Sequence, residues 1–231
     1  MTDTEIDKKI FTEIFNTDSK LTIFDVGTYD GKDSLEFSKL FPKSEIYSFE
    51  ADERSVKVFN RVAGNISNIN LIKTALSNID GDIDWYASDS ETRRHYDFEE
   101  GWSASSSIKK PDNHLNIFTD VSFNKSTKVK STRLDTWLNN NDQISDIDIM
   151  WVDVNGGERE FIEGALNTLQ NRVKYLYIEF NGVQGKKLYE ARTPEETKLF
   201  EEYIEFKKSG GAVGGYGLST VQQVEDKVAG L

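Results

Sequence analysis

Residues 21–31 read LTIFDVGTYDG, and the reading of this stretch decides the fold. Leu21, Ile23, Phe24 and Val26 are apolar and largely β-forming, long enough for one buried strand. The chain then breaks at Gly27 and turns through Gly31. Beyond it DSLEFSKLF has helical spacing, with Phe37, Leu40 and Phe41 facing inward and Pro42 ending the helix. A strand that runs through a glycine-bearing turn into a helix aims free backbone N–H groups at whatever lies above the sheet. Gly27 lets the backbone turn tightly and approach a ligand with no Cβ in the way. The spacing is GxxxG, not the GxGxxG of dinucleotide folds, and Asp25 sits just before the turn. A carboxylate there suits a cationic group better than a pyrophosphate.

Outward from this stretch, EIYSFEAD (45–52) reads as a second strand closing at Glu50, where Rossmann-like sites grip a ribose diol. Asp52 is placed to cap the helix that follows. NINLIKTAL (68–76) reads as a third strand, with Ala75 and Leu76 small or apolar where an adenine face would lie, and GDIDWYAS (81–88) as an antiparallel hairpin arm. DIDIMWVDV (146–154) is an apolar run framed by acids, the pattern of a central strand buried on both faces, and it ends at Asp153. Asn155, Gly156 and Gly157 turn the chain into the helix GEREFIEGALNTL, and VKYLYIEF is a further central strand ending at Glu179. Asp153 is a candidate general base and equally a candidate N-cap of that helix.

The flanks are less regular. Residues 4–16 have helical spacing with Ile6, Ile10, Ile14 and Phe15 on one face. Residues 89–130 show little periodicity, hold both histidines (His95 and His114, alternative bases) and read as an acceptor-binding insertion. TKVKSTRLDTWLNN reads as a short strand and a helical turn, with Thr132 or Asp135 placed to cap. PEETKLFEEYIEFKK is a helix with Pro194 in its first turn. SGGAVGGYG is a glycine-rich stretch, and STVQQVEDKVAGL has the Ser219–Gln222 spacing of a capping box before a stripe of Val221, Val224 and Val228. The expected organisation is one domain over 1–208, then a glycine-rich stretch and short helix over 209–231.

Composition narrows the function. The 231 residues contain no cysteine, which removes disulfides and thiolate metal sites. The net charge of −12 and the absence of a basic stripe argue against nucleic acid. No stretch approaches the roughly 18 apolar residues of a membrane span, and no signal-peptide core is visible, so a soluble cytoplasmic protein is expected.

Four pieces in order, FDVGTYDG, IYSFEAD, TALSNIDGDIDWYAS followed by GWSASSS, and STRLDTWL…DIDIMWVDVNGGERE, resemble the FkbM-type S-adenosylmethionine-dependent methyltransferases over roughly 21–184. The resemblance implies a class I methyltransferase (Rossmann-like) α/β fold, a parallel sheet with flanking helices, and methyl transfer to a hydroxyl of a sugar or other small molecule. It implies that Asp25, Gly27, Tyr29 and Gly31 lie around the methionine part of S-adenosylmethionine. Glu50 would hold the ribose, with Ala51 against the adenosine and Ala75 and Leu76 under the adenine. Asp153 and Glu158 fall on the D-V-x-G-x-E positions, but Asn155 stands where many relatives carry glutamate.

Asp153, Glu179 and Asn181, at adjacent strand ends, would suit Mg²⁺, although no residue is assigned to a metal and metal dependence is not favoured. The closing C-terminal hairpin of the fold is not visible, so the sheet edge is expected to be covered by the last helix or by a second copy of the chain. Two other classes compete. The absent third glycine and Asp25 argue against a nicotinamide oxidoreductase. A non-catalytic module on a degenerate methyltransferase fold would bind a partner through 89–130.

Overall fold

The computed structural model describes residues 8–93, 101–112 and 114–179, together with the backbone of three two-residue strands beyond them. A 3₁₀ turn (Lys8–Ile10) leads into α1 (Phe11–Ile14), then β1 (Thr22–Val26), α2 (Lys32–Leu40), β2 (Glu45–Phe49), α3 (Glu53–Val62) and β3 (Ile69–Ile72). β4 (Ala75–Leu76), β5 (Gly81–Asp89), α4 (His114–Ile117), β6 (Ser122–Thr132) and α5 (Leu134–Asn139) follow. The chain continues through β7 (Ile147–Val152), α6 (Glu158–Gly164), α7 (Leu166–Asn171) and β8 (Val173–Ile178) to β9 (Gly182–Val183), β10 (Lys186–Lys187) and β11 (Leu218–Ser219).

The main sheet has the order β11-β8-β7-β1-β2-β3. Its strands run parallel except β11, which is antiparallel to β8. Alternate residues of the central strands feed two cores, which explains their continuous apolar runs. Phe24, Val26, Met150, Val152, Leu176 and Ile178 pack against α5, α6 and α7 on one face. Ile23, Ile149, Trp151 and Tyr177 pack against Phe11, Phe37 and Phe41 on the other. This is the doubly wound arrangement expected of the class I methyltransferase fold.

Several local expectations are corrected. In the N-terminal helix Ile10 and Ile14 are exposed, and Phe11 and Lys8 are buried instead; Ile6 lies outside the described residues. Phe11 fits between Phe37 and Tyr175. Lys8 Nζ reaches Asp33 at 2.8 Å and sits 4.3 Å over the Trp151 ring. A paired lysine thus takes an inward position that an apolar pattern cannot reveal. The 68–76 run is two strands, because Ala75–Leu76 leaves the main sheet to pair with Ser131–Thr132. β5 does form the antiparallel arm, but its partner β6 extends over Ser122–Thr132, largely inside the stretch with little periodicity.

Leu218–Ser219 pairs with Tyr177 and Leu176, so at these residues the edge of β8 is covered within the chain and Ser219 belongs to a strand, not a helix cap. The helices expected at 194–208 and after 220 lie outside the described residues.

Capping is exchanged between elements. Asp135 sits in α5 yet accepts from the backbone N–H groups of Asn167 (3.1 Å) and Thr168 (2.9 Å), the first turn of α7, and from Thr168 Oγ1 at 2.6 Å. Asp80 in turn accepts from Arg133 N and Thr136 Oγ1 at the start of α5, where Thr132 does not cap. Asp135→Ala should therefore destabilise the protein by about 1 kcal/mol, lowering the melting temperature by roughly 2–4 °C, although α5 itself keeps its own bonds. Calorimetric melting of the two proteins checks this.

Candidate active site

The strand ends continue the hydrogen-bond ladder beyond the strands. Gly27 N donates to Phe49 O (3.0 Å), Glu50 N to Ile72 O (3.1 Å), Asp153 N to Val26 O (2.9 Å) and Glu179 N to Val152 O (2.9 Å). Gly27 has φ +82°, and a Cβ there would lie 1.8 Å from the carbonyl oxygen of Asp153. Only glycine allows β1 to turn at this height beside β7. The turn then brings Tyr29, at φ +51°, over the sheet.

A cleft opens above these ends, holding about 570 Å³ of atom-free space with the solvent at its mouth included. Seven of the residues singled out from the sequence line it. These are Gly27, Tyr29, Glu50, Ala51, Ala75, Leu76 and Asp153. Two do not. Asp25 is 1% exposed and lies inside the protein, accepting from Thr28 Oγ1 (2.6 Å) and Ser34 Oγ (2.5 Å). It pins the turn from beneath and does not border the cleft. Gly31 is required by packing, since a Cβ there would lie 2.6 Å from the Phe59 ring of α3.

Glu50 is 7% exposed, and its two oxygens accept from Tyr29 N (2.9 Å) and Asp52 N (2.7 Å). A carboxylate offers about four lone-pair sites; the backbone of Ala51 donates to it as well, which leaves about one for a ligand donor. Burial pushes its pKa up to about 8, against the pull of those backbone donors. Asp52 has a different task. It caps α3 through Arg54 N, and its carboxylate gathers Arg54 Nη2 at 2.6 Å and Trp85 Nε1 at 3.2 Å. Burial opposes its charge, but Arg54 holds its pKa below the usual range.

The sequence did not reveal the roof. Ser103, Ala104, Ser106 and Ile108 cover the cleft, and Trp85 closes one side. Ser103 Oγ bonds Ser55 Oγ (2.8 Å), and Ser107 exchanges backbone bonds with Tyr86 at 2.8 and 3.1 Å. Lys109 Nζ meets Glu160 at 3.0 Å, both buried. The segment is ordered by hydroxyl and backbone bonds and carries no apolar period. The cluster of serines in GWSASSS is its one visible sign.

Asp153 is not the cap of α6. The helix starts after Gly157 with no side-chain cap, and Glu158 Oε1 instead accepts from Gly156 N (2.7 Å). Glu158 does not line the cleft. His114 is 1% exposed, lies between Phe118 and Phe123 and is absent from the cleft lining, so it cannot serve there as a base. Burial and Arg93 lower its pKa to about 4. His95 lies outside the described residues. Among the described residues no group of three His, Asp or Glu is placed to hold a metal ion, and Asn181 lies outside them.

A parallel sheet that carries a glycine turn after its first strand and a cleft-lining carboxylate after its second is a nucleoside-binding α/β fold. Comparison with known proteins specifies the class. The model of the Methyltransferase FkbM domain matches residues 25–210. Over 172 residues, 74% of this chain and 67% of the relative, the sequence is 33% identical to 2-O-methyltransferase NoeI of Sinorhizobium fredii (strain NBRC 101917 / NGR234).

Among solved structures, a SAM-dependent methyltransferase from Aquifex aeolicus matches with a TM-score of 0.41 at 17% identity, covering 91% of this chain and 85% of that one. A precorrin-6y C5,15-methyltransferase from Geobacter metallireducens GS-15 matches at 0.40 and 10%, covering 92% and 75%. Likenesses this loose bear on neither activity nor acceptor.

The chain belongs to the FkbM methyltransferase family. The methyl donor that this implies, S-adenosylmethionine, fits what lines the cleft: a carboxyl group, Glu50, borders a space where a ribose diol would supply O–H donors.

Two buried carboxylates set a pH dependence. Burial lifts Asp25, whose charge Asp33 also opposes, from 3.8 to about 7, and lifts Glu50 from 4.5 to about 8. Both raised groups bind protons more tightly when folded, so their contribution is complete below the unfolded pKa and is lost as pH rises through the folded one. Unfolding free energy should thus fall between about pH 4 and pH 8, whereas the lowered carboxylates Asp52, Asp80 and Asp120 act below this window. Glu50→Gln should flatten the decline. Denaturant titrations at several pH values measure it, and an unchanged slope in the variant would contradict the assignment.

Proposed function

We propose that this protein transfers the methyl group of S-adenosylmethionine to a hydroxyl of a sugar or similar small-molecule acceptor. The observation that carries the reading is the placing of Glu50 and Asp153 along one cleft, at the carboxyl ends of β2 and β7, with Gly27 between them. The similarity to a relative named as a 2-O-methyltransferase supports oxygen as the accepting atom. Glu50 holds the ribose diol, Ala51 lies against the adenosine, and Ala75 and Leu76 flank the adenine. Gly27 and Tyr29 offer the backbone of their turn to the methionine end.

Methyl transfer from a sulfonium is an in-line displacement, so the protein aligns the acceptor oxygen and removes its proton. A sugar hydroxyl is a weak acid, and the proton must leave as the carbon–oxygen bond forms. Asp153 is the carboxylate at that end of the cleft, and with the capping role excluded it is assigned as the base. The 89–130 segment divides in this reading. Its 103–108 part covers the cofactor, while the remainder, outside β6, is left to select the acceptor. No nucleic acid, membrane or metal partner is invoked.

Glu50→Ala should weaken S-adenosylmethionine binding by roughly ten- to a hundred-fold, the loss expected when a ligand's hydrogen-bond partner is removed from a buried site. Asp52→Ala should mainly lower the melting temperature, since it removes a helix cap and the anchor of Arg54 and Trp85. Titration calorimetry showing equal losses of affinity for the two variants would contradict the assignment of Glu50.

Asp153→Asn should keep cofactor affinity and lose methyl transfer, because the amide preserves shape but takes up no proton. The assay is mass-spectrometric detection of labelled methyl groups in a glycan or metabolite extract. Turnover within a few fold of the native protein would place the base elsewhere. In the same assay turnover is expected to survive EDTA; loss with rescue by Mg²⁺ would instead mark metal assistance.

A further inference from the structure

Resting on the reading of the cleft as the cofactor site, we propose that Asn155 is a positioning residue. It tethers the serine-rich roof across the cleft and thereby sets how tightly the cofactor is held. Asn155 lines the cleft on the β7–α6 turn, next in line after Asp153 and Val154. Its backbone is in the left-handed region, φ +48°, which asparagine tolerates better than most residues. From there it meets the roof with both its side chain and its main chain. Nδ2 donates to the carbonyl of Ala104 at 3.0 Å, and its own carbonyl accepts from Ser107 Oγ at 2.6 Å.

The direction of the first bond is fixed by chemistry. A peptide carbonyl only accepts, so the amide nitrogen must face Ala104, and an ionised carboxylate at position 155 would set acceptor against acceptor. The second bond falls three residues along the roof. Two attachment points so spaced, on either side of the cleft-lining Ser106, hold the segment's height as well as its position.

The other roof attachments lie elsewhere. Ser103 and Ser106 bind the α3 side through Ser55 and Asp52, the Ser107 backbone pairs with Tyr86 of β5, and Lys109 reaches Glu160 on α6. Like the Ser103–Ser55 bond, the Asn155–Ala104 bond joins two residues that both line the cleft, but it does so from the turn that follows Asp153. Its loss leaves the α3, β5 and α6 attachments and the bond from Ser107 Oγ to the carbonyl of residue 155 in place, and loosens the roof at Ala104. The reacting end is where such slack matters.

Two variants and two measurements test this. Asn155→Gly adopts φ +48° without strain and removes the side chain, and Asn155→Asp keeps the shape but loses the donor when ionised. In the ligand-free protein, amide hydrogen exchange over 101–109 should quicken in both variants at pH 8 while β7 keeps its protection. S-adenosylhomocysteine, measured by titration calorimetry against the native protein at each pH, should bind each variant about ten-fold more weakly at pH 8, as expected when a carbonyl loses its partner. As pH falls through the pKa of the introduced carboxyl, the Asn155→Asp variant alone should recover, because a protonated carboxyl can again donate to Ala104.

Unchanged exchange in both variants, native affinity in Asn155→Gly, or a deficit in Asn155→Asp that ignores pH would overturn the proposal. If the native protein takes up no S-adenosylhomocysteine while exchange still quickens, the cofactor reading falls and the tether stands.

Discussion

The close approach of Gly27 to the Asp153 carbonyl is the constraint on which the rest of the site depends. No side chain fits between them, so β1 and β7 end side by side and their turns lie backbone against backbone. The ladder bonds of Gly27, Glu50, Asp153 and Glu179 then align four strand ends at one level. Each bond contributes only about 1 kcal/mol net. Their effect is geometric, because residues immediately beyond the strands emerge in a row with spacings set by the sheet. Glu50 and Asp153 face one cleft because the strands that carry them both lie beside the strand that bears the glycine turn.

Polar burial beneath and within this row is divided between two carboxylates. Asp25 is satisfied by hydroxyls: Thr28 and Ser34 donate to it, and Ser34 is itself bonded to Ser48 at 2.7 Å. Glu50 is satisfied by backbone N–H groups, Tyr29 on the first turn and Asp52 on the second. Hydroxyl rotors can turn to suit either protonation state, whereas a backbone N–H can only donate. Asp25 is therefore suited to holding the turn over a range of pH. Glu50 gains most when it is charged and further donors are within reach. Keeping a carboxylate in so buried a place sacrifices stability at neutral pH for a site that is organised before the ligand enters.

What the sequence discloses follows from which forces order each part. The strands β1, β2, β7 and β8 are ordered by burial of apolar side chains, which leaves a period in the sequence, and they are legible. Glu50 and Asp153 are legible because they stand where such strands stop. Asp25 and Gly31 mislead for a related reason. Nearness in sequence to a cleft does not tell the inward face of a strand from its end, or a ligand approach from a packing contact such as Gly31 with Phe59. Asp135 has the composition of a cap and is one, but for a helix thirty-odd residues away, a pairing that no local spacing encodes. Lys8 escapes a reading by pattern because charge usually marks an exposed face, and here Asp33, Glu36 and an indole ring make burial tolerable. Only the last part of β6, within TKVKST, reads as a strand, because lysines and serines mask the alternation before it.

The contrast between floor and roof bears on how a fold of this kind changes substrate without losing its cofactor. The floor is backbone bonded to backbone around a glycine that tolerates no replacement, so its shape is nearly independent of side-chain identity. Apart from the backbone bonds of Ser107 with Tyr86, the roof is held by serine hydroxyls, one asparagine amide and one buried ion pair. Each of these is a side-chain contact of modest strength that a single substitution removes or redirects. Substitution in the roof can therefore reshape the cover of the cleft while the carboxylate on β2 and the turn after β1 stay where the ladder puts them. Burial keeps the two roles from merging, since a roof packed by large apolar residues would couple to the core below and lose that freedom.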